Sequence, residues 1–327
     1  MSLSKARSNA PPSSITVKSI NNIKVIPLKI KEEKDDRPIV GEKLFPTIDS
    51  NILIVAPKNS GKTVIVGYII RNCVGPETSV IVFSSTFAQD KSWKAIRTWM
   101  KEHHITSAFY PNIKKDGQDI LQQFLDRVRN EAIENDVSDE EVEDAFEKQF
   151  EQEDEKVDEA PPEYYNYVDE EPNFKQDLVD SDINHRFGKM FTERSSVKEE
   201  LPYRAPDYIL VFDDIAHELK NKSVINLTKT HRHIKSKTIT STQYLMDFLP
   251  EQIRQMDYIL LFRGQEDKLP KIKRDAELSI SLEDLTKIYK DATKESADYK
   301  YGFLYIDVKQ EQFRKKFDKM YIIRKNE

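Results

Sequence analysis

The stretch Asn51-Ile-Leu-Ile-Val-Ala-Pro-Lys-Asn-Ser-Gly-Lys-Thr63 decides the fold of this chain. Ile52 to Val55 form a short, wholly apolar run of the kind that a buried parallel strand needs. Residues 56–63 then read A-x-x-x-x-G-K-T, and an apolar run typical of a helix follows from Val64 to Ile70. Strand, loop and helix in this order are the context in which the pattern predicts a phosphate-binding loop.

Each part of the predicted loop has a chemical task. The backbone N–H groups around Asn59 to Lys62, together with the helix N-terminus, are expected to cradle the α- and β-phosphates of ATP. Lys62 is expected to reach the β- and γ-phosphates, and the hydroxyl of Thr63 to bind Mg²⁺. The predicted nucleotide-binding residues are Ala56, Pro57, Lys58, Asn59, Ser60, Gly61, Lys62 and Thr63. Alanine at position 56 replaces the commoner glycine. This replacement costs stability only where the backbone needs a positive φ.

The composition is that of a polar globular protein. The 327 residues are 38% hydrophobic and 33% charged, and the chain is long enough to bury a full α/β core. Its one cysteine, Cys73, rules out an intramolecular disulfide and suits a reducing compartment. The sequence shows neither a membrane-spanning stretch nor a signal peptide. A soluble, intracellular protein is therefore expected.

The net charge of −6 hides an uneven distribution. Residues 131–172 contain 19 acidic residues and two lysines, a net charge of −17, which leaves +11 on the rest of the chain. A basic body combined with an acidic stretch suggests a polyanionic partner. For the acidic stretch itself, a solvated loop is favoured over an acidic mimic of DNA or a docking tail.

A second apolar run, Tyr208 to Phe212, ends in Asp213 and Asp214. Parallel strands present their carboxyl ends at one sheet edge, so these carboxylates can reach the phosphates. Asp213 is expected to hold Mg²⁺, and Asp214 to orient and deprotonate the attacking water. The alternative is a pair of capping carboxylates at a strand end.

Gln243 ends another predicted strand, which begins at Thr238. A buried amide without partners is costly, so Gln243 is expected to contact the γ-phosphate or the lytic water. Strands that alternate with helices along the chain predict an α/β fold. Its central sheet should be mostly parallel, with helices on both faces.

Two arginines outside the loop are candidates for an arginine finger. An arginine that enters a neighbouring subunit's active site stabilises transition-state charge. Arg232 is the first candidate and Arg254 the second, and either can instead face solvent or DNA. The pair His231 and His233 lacks the further ligands that zinc requires, so a zinc site is not predicted.

The predicted domain organisation has two parts. Residues 1–36 form an N-terminal arm with short strands, and residues 37–327 form the P-loop ATPase domain. An acidic, partly disordered excursion interrupts that domain at about 134–205.

Trp93 and Trp99 share one face of a predicted helix, and packing is favoured over stacking on bases.

The order of the motifs along this chain resembles that of a known family. The shared residues, in order, are Ala56-x4-Gly61-Lys62-Thr63, Ile209 to Asp214, Arg232-His233, Ser241-x-Gln243 and Leu249-Pro250-x3-Arg254. This order resembles the genome-packaging ATPases of nucleocytoplasmic large DNA viruses, the poxvirus type, and of virophages. These proteins belong to the FtsK–HerA superfamily of DNA pumps, which are P-loop NTPases of the additional-strand (ASCE) type. The resemblance covers about residues 44–100 and 206–308.

The resemblance implies an ATP-driven homo-oligomeric ring that moves double-stranded DNA into a preformed capsid. It implies a hydrolytic site of Lys62, Thr63, Asp213 and Asp214, with Gln243 as sensor and Arg232 or Arg254 as finger. It also implies capsid portal or vertex proteins as partners. The expected location is the host cytoplasm, a viral factory or the virion. The sequence departs from the family at Ala56 and in the length of its acidic stretch.

Two other functions compete with a DNA motor. One is a nucleotide-gated interaction module that hydrolyses ATP slowly and recruits partners through its acidic stretch. The other is a small-molecule phosphotransferase. Asp214 and Gln243 argue against the phosphotransferase, because both suit the activation of water.

Overall fold

A computed structural model of the protein describes residues 35–115, 117–136, 201–294 and 302–323. The chain separates into a unit of residues 1–36 and a larger compact unit of residues 37–327. The strands predicted in the N-terminal arm lie outside the described residues. The same holds for most of the predicted excursion at 134–205, so both stay predictions.

The described ranges contain seven α-helices and eleven strands. The helices are α1 (Lys62–Cys73), α2 (Lys91–Glu102), α3 (Ile120–Asp136), α4 (Lys222–Thr230), α5 (Pro250–Arg254), α6 (Leu269–Asp275) and α7 (Leu282–Ala292). The strands are β1 (Asn51–Val55), β2 (Ser79–Ser84), β3 (Ser107–Tyr110), β4 (Lys114–Lys115), β5 (Gln118–Asp119), β6 (Tyr208–Asp213), β7 (Ser236–Thr242), β8 (Tyr258–Phe262), β9 (Phe303–Asp307), β10 (Gln312–Lys315) and β11 (Lys319–Met320). None of these helices combines the length and apolar character that a membrane crossing requires.

Nine of the strands form one sheet in the spatial order β11-β10-β9-β8-β1-β7-β6-β2-β3. The six strands from β8 to β3 in this order run parallel, and β9, β10 and β11 continue the sheet in antiparallel pairing. Strand β7 lies between the strand that precedes the phosphate loop and the strand that ends in Asp213. That position is the additional strand of ASCE P-loop NTPases, so the predicted fold class is confirmed.

Helices cover both faces of the sheet, as the sequence predicts. Helices α1 and α2 pack on one face, while α3 to α7 contribute buried residues to the other. Along β1, Leu53 and Val55 belong to one core, whereas Ile52 and Ile54 belong to the other. This alternation explains why β1 is apolar at successive positions, because both of its sides are buried. Each such side chain stabilises the fold by about 1.5–3 kcal/mol.

Several elements differ from the sequence-based expectation. The charged sequence from Lys268 to Tyr289 favours a helix, but the structure has two helices there, α6 and α7. Between them Glu277 adopts a left-handed backbone with φ of 55°, and the Ser281 side chain caps α7 by accepting a hydrogen bond from the Asp284 N–H. Side-chain capping of this kind starts a new helix despite a continuous helical pattern. Strand β3 and the β10–β11 hairpin were not predicted.

A buried lysine, Lys237, lies near the start of β7. Its ammonium donates to the Thr47 carbonyl at 2.9 Å and to Ser50 Oγ at 2.7 Å, and it lies 5.5 Å from the centre of the Phe45 ring. Burial lowers the pKa of Lys237 to about 8. The unfolded chain therefore binds this proton more tightly than the folded chain does, and stability rises with pH between the two pKa values.

We expect Lys237→Met to remove this contribution to pH dependence. From pH 8 to pH 10 the parent should gain about 2 kcal/mol in free energy of unfolding relative to the variant. Denaturant titrations of both proteins at several pH values measure the difference. A constant difference across this range would contradict the lowered pKa.

Candidate active site

The loop between β1 and α1 has a backbone suited to an anion. Asn59 and Gly61 adopt positive φ values of 61° and 83°, and the Ser60 hydroxyl donates to the Pro57 carbonyl at 2.6 Å. Turns of this kind can direct successive N–H groups into one concavity. Gly61, the N-cap of α1, has no side chain to satisfy the first N–H groups of the helix. These groups are therefore available to a phosphate.

Alanine at position 56 fits this loop without strain. The backbone φ of Ala56 is not positive, so its methyl group meets no conformational penalty. The residue is buried, and its N–H donates to the Thr242 carbonyl at 3.0 Å. The departure from the commoner glycine therefore leaves the loop geometry intact.

Lys62 brings the loop and the carboxylates together. Its side chain is 7% exposed, its ammonium forms an ion pair with Asp214 Oδ1, and it lies 4.0 Å from Asp213 Oδ1. A lysine this deeply buried needs nearby negative charge. The ammonium therefore sits where it can balance the charge of the two aspartates and of a bound phosphate.

The carboxylate of Asp213 is held from several sides. The β6–β7 register pairs Asp213 with Ser241, whose hydroxyl donates to Asp213 Oδ1. The indole N–H of Trp93 donates to Asp213 Oδ2 at 2.9 Å, and Thr63 Oγ1 lies 3.5 Å from the same oxygen. Burial raises the pKa of Asp213, while Lys62 and the hydrogen bonds from Ser241 and Trp93 oppose the rise.

Asp214 leaves the strand in a different direction. Its φ of 54° is left-handed, a conformation that aspartate tolerates better than most residues. The Gln243 side-chain amide donates to Asp214 Oδ1 at 3.3 Å, and the Ser85 hydroxyl donates to the Asp214 carbonyl oxygen at 3.0 Å. Within the described residues, no hydrogen bond or ion pair engages Oδ2 of Asp214. That oxygen is available to accept a proton.

The donor set fits a nucleotide with Mg²⁺. Mg²⁺ prefers hard oxygen ligands and usually takes one or two from the protein, with phosphates and waters as the others. The Thr63 hydroxyl and the Asp213 carboxylate are 3.5 Å apart and supply such oxygens. The uncapped start of α1 and the Lys62 ammonium supply the groups that phosphates require.

A cavity of about 770 Å³ adjoins the loop on the side of β8. Gly264 follows β8 and approaches Pro57 of the loop, because a Cβ built at Gly264 would meet Pro57 Cγ at 3.4 Å. The lining residues are Arg263, Gly264, Glu266, Asp267, Tyr289, Lys290, Thr293 and Lys294. The phosphate-loop pattern gives no information about these residues, which were not predicted to contribute to the site.

The candidate arginine fingers lie at the opposite edge of the sheet. Arg232 donates to Asp257 Oδ1 at 2.8 Å, and Asp257 Oδ2 accepts from the N–H of Asn51, the first residue of β1. Arg254 pairs with Glu277 at 2.7 Å. Neither arginine reaches the phosphate loop of its own chain, which leaves action on a neighbouring subunit as the only finger role open to them.

The histidine pair has different surroundings at its two positions. His231 is buried, with Nδ1 3.0 Å from the Asn51 side-chain nitrogen and Nε2 3.4 Å from Asp257 Oδ2. His233 is exposed. The two side chains therefore do not share one environment.

Sequence reasoning missed two contributors to the site. Ser241 was quoted only as part of a motif, and Trp93 only as a packing residue. Trp93 is indeed fully buried, but a buried indole N–H usually finds an acceptor, and here that acceptor is Asp213. The need for an acceptor was the available signal, but the identity of that acceptor depends on the fold.

Comparison with known proteins gives structural neighbours only. No family model matches this chain, and no curated protein does. The chain is similar to the genome packaging NTPase B204 from Sulfolobus turreted icosahedral virus 2 in complex with sulfate, with TM-score 0.43 and 14% identity over 82% of this chain and 96% of that one. For the AMP complex the values are 0.41 and 12%, over 85% and 98%. For B204, the DNA-packaging ATPase from Sulfolobus turreted icosahedral virus, they are 0.42 and 13%, over 81% and 96%.

Proposed function

We propose that this protein hydrolyses ATP to translocate double-stranded DNA, and that it packages a viral genome into a preformed capsid. The observation that carries the ATPase activity is the convergence of Lys62, Thr63, Asp213, Asp214 and Gln243 at one edge of the sheet. The ordered motifs shared with genome-packaging ATPases support the DNA-packaging role. So does the basic charge outside the acidic stretch.

The residues of the site divide the work of hydrolysis. Bound ATP would supply the phosphoanhydride bond, and Mg²⁺ would neutralise charge that develops on the phosphates. Thr63 and Asp213 would hold the Mg²⁺, and Lys62 would bind the β- and γ-phosphates. Oδ2 of Asp214 would take a proton from the attacking water. Gln243 contacts Asp214 and would hold that carboxylate or the water in place.

We place the base and ribose of the nucleotide in the cavity beside Pro57. Its volume of about 770 Å³ is within the usual range for ligand pockets. Lys290 pairs with Glu266 in its lining at 2.9 Å, while the hydroxyl groups of Tyr289 and Thr293 donate to the backbone carbonyls of Phe262 and Tyr289. Gly264 in the lining of this cavity approaches Pro57 of the loop that would hold the phosphates.

The assembly follows from the same proposal. A ring of identical subunits would encircle DNA and bind capsid portal or vertex proteins. Its location would be the host cytoplasm, a viral factory or the virion. Arg232 or Arg254 would then enter the active site of the next subunit, consistent with their distance from the loop of their own chain. The competing function is a nucleotide-gated interaction module that does not move DNA.

Stimulation by DNA distinguishes these two functions. We expect double-stranded DNA of any sequence to raise the ATPase rate, because a motor that moves along a whole genome contacts phosphates rather than bases. The apparent DNA affinity should fall with salt, with log K decreasing by about 0.9 per phosphate neutralised. The experiment is a steady-state ATPase assay with two unrelated duplexes across a salt series. An unchanged rate at every salt concentration would favour the interaction module, and a strong preference for one duplex would count against a motor.

A variant without the acidic stretch tests how the charge is used. Because α3 ends at Asp136, the deletion should cover residues 137–171 and spare the helix. An acidic segment tethered to the domain competes with DNA for basic residues at high effective concentration, so the deletion should tighten DNA binding and steepen its salt slope. A matched variant of full length, with the acids of this range changed to Gln and Asn, should behave like the deletion. An unaltered slope in both variants would show that the stretch is a solvated loop, without affecting the motor itself.

A further inference from the structure

Trp93 connects helix α2 to the carboxylate at the end of β6. Its side chain is fully buried, its ring meets that of Phe109 edge-on at 6.1 Å, and its Nε1–H donates to Asp213 Oδ2 at 2.9 Å. Packing alone would be satisfied by any large aromatic ring. The hydrogen bond is the property that requires tryptophan at this position.

The two oxygens of Asp213 have different fixed partners. Ser241 donates to Oδ1 and Trp93 donates to Oδ2, so rotation of the carboxylate would break two buried hydrogen bonds. A buried donor left without an acceptor destabilises the fold. The carboxylate plane is therefore set by strand β7 on one side and by helix α2 on the other. Thr63, the other predicted Mg²⁺ ligand, lies 3.5 Å from the oxygen that Trp93 holds.

We infer that Trp93 is a positioning residue for Mg²⁺: it orients the Asp213 carboxylate toward Thr63 without touching the nucleotide. This inference rests on the proposed ATPase function and adds to it a residue outside the phosphate loop and the paired aspartates. A carboxylate held in this way can bind the ion with little loss of side-chain freedom. Partners that orient metal ligands typically contribute a factor of about 10–100 to metal affinity.

The test compares the two tryptophans of the chain. Trp93→Phe keeps an aromatic ring against Phe109 but removes the N–H. Trp99→Phe is the matched control on the same helix, because Trp99 is partly buried and contacts Arg71 and His103 instead of the site. Titration calorimetry would measure the affinity of each protein for the β,γ-methylene analogue of ATP, as a function of Mg²⁺ concentration and in EDTA.

We expect Trp93→Phe to raise the half-saturating Mg²⁺ concentration by roughly 10-fold or more, with unchanged affinity in EDTA. Trp99→Phe should match the parent in both. Equal Mg²⁺ dependence of the two variants would overturn the inference. An equal loss of affinity with and without Mg²⁺ would also overturn it, since it would indicate a purely structural role. A parent protein that does not bind the analogue at all would instead refute the proposed function.

A second measurement keeps Trp93 in place. In the Trp99→Phe protein, Trp93 is the single remaining tryptophan, so its emission reports the surroundings of its own indole. Addition of Mg²⁺ to this protein saturated with the analogue should change that emission, because the acceptor of the indole N–H becomes a metal ligand. Unchanged emission at a Mg²⁺ concentration that strengthens analogue binding would contradict the inference, even if Trp93→Phe fails to fold.

Discussion

Asp214→Asn should retain ATP binding but lower kcat by a factor on the order of 10² to 10⁴, the usual contribution of general base catalysis. The amide cannot accept the proton of the attacking water. It has nearly the same shape as the carboxylate and can still accept the hydrogen bond from Gln243. Because Lys62 and the loop are unchanged, the nucleotide affinity should stay close to that of the parent. Steady-state hydrolysis and equilibrium binding of an ATP analogue, measured on one protein preparation, separate the two effects.

A matched control for this substitution is Asp90→Asn. Asp90 caps helix α2 by accepting a hydrogen bond from the Ser92 N–H at 2.7 Å, and asparagine caps a helix about as well. This variant should hydrolyse ATP at the parental rate, which shows that an Asp-to-Asn change is tolerated elsewhere in the fold. Near-parental kcat in Asp214→Asn would show that another group accepts the proton.

The sequence predicted the central parts of this site because their signals are local. The loop from Ala56 to Thr63 is a continuous motif between an apolar strand and a helix, and Asp213 directly ends an apolar run. Gln243 was predicted to be at the site because it ends a predicted strand, where a buried amide without partners is costly. The parallel arrangement then brings these strand ends to one edge, which the structure confirms with the Gln243–Asp214 contact.

Other features depend on contacts between distant residues. Trp93 and Asp213 are 120 positions apart, and no local pattern links them. The cavity beside Pro57 is made by residues that follow β8 and by helix α7, so its place depends on the sheet order. The break between α6 and α7 was missed for a different reason. The left-handed residue Glu277 follows the end of α6, and Ser281 caps the start of α7. The charge pattern continues unbroken through both residues.

The locations of Arg232 and Arg254 give their test a clear form. Arg232 is held by the buried carboxylate of Asp257, which also contacts His231 and Asn51, so its removal can disturb the fold as well as any catalytic role. Arg254 and Glu277 are each more than half exposed, so removing that pair should cost little stability. Loss of activity in Arg232→Ala alone therefore cannot identify a finger.

Mixing two inactive proteins can identify the finger. Lys62→Ala should abolish ATP binding and hydrolysis, because the loop loses the charge that faces the phosphates. If Arg232 acts across a subunit interface, Arg232→Ala should lower turnover by about 10³-fold or more. In an equal mixture of the two proteins, some interfaces join an intact loop to an intact arginine. For random assembly into rings, about a quarter of the interfaces are of this kind, and activity should recover to a comparable fraction of the parental rate.

Recovery of activity would also exclude misfolding as the cause of the loss, because a subunit that cannot fold supplies neither part of a shared site. The same mixture with Arg254→Ala in place of Arg232→Ala tests the second candidate. Because the Arg254–Glu277 pair is exposed, a loss of activity in Arg254→Ala is less easily explained by a loss of stability than one in Arg232→Ala. The Lys62→Ala protein alone, at twice its concentration in the mixture, controls for the effect of total protein concentration on assembly. If neither mixture is more active than its two components, neither arginine acts across a subunit interface. Arg232 and Arg254 would then be structural residues at the edge of the sheet opposite the loop.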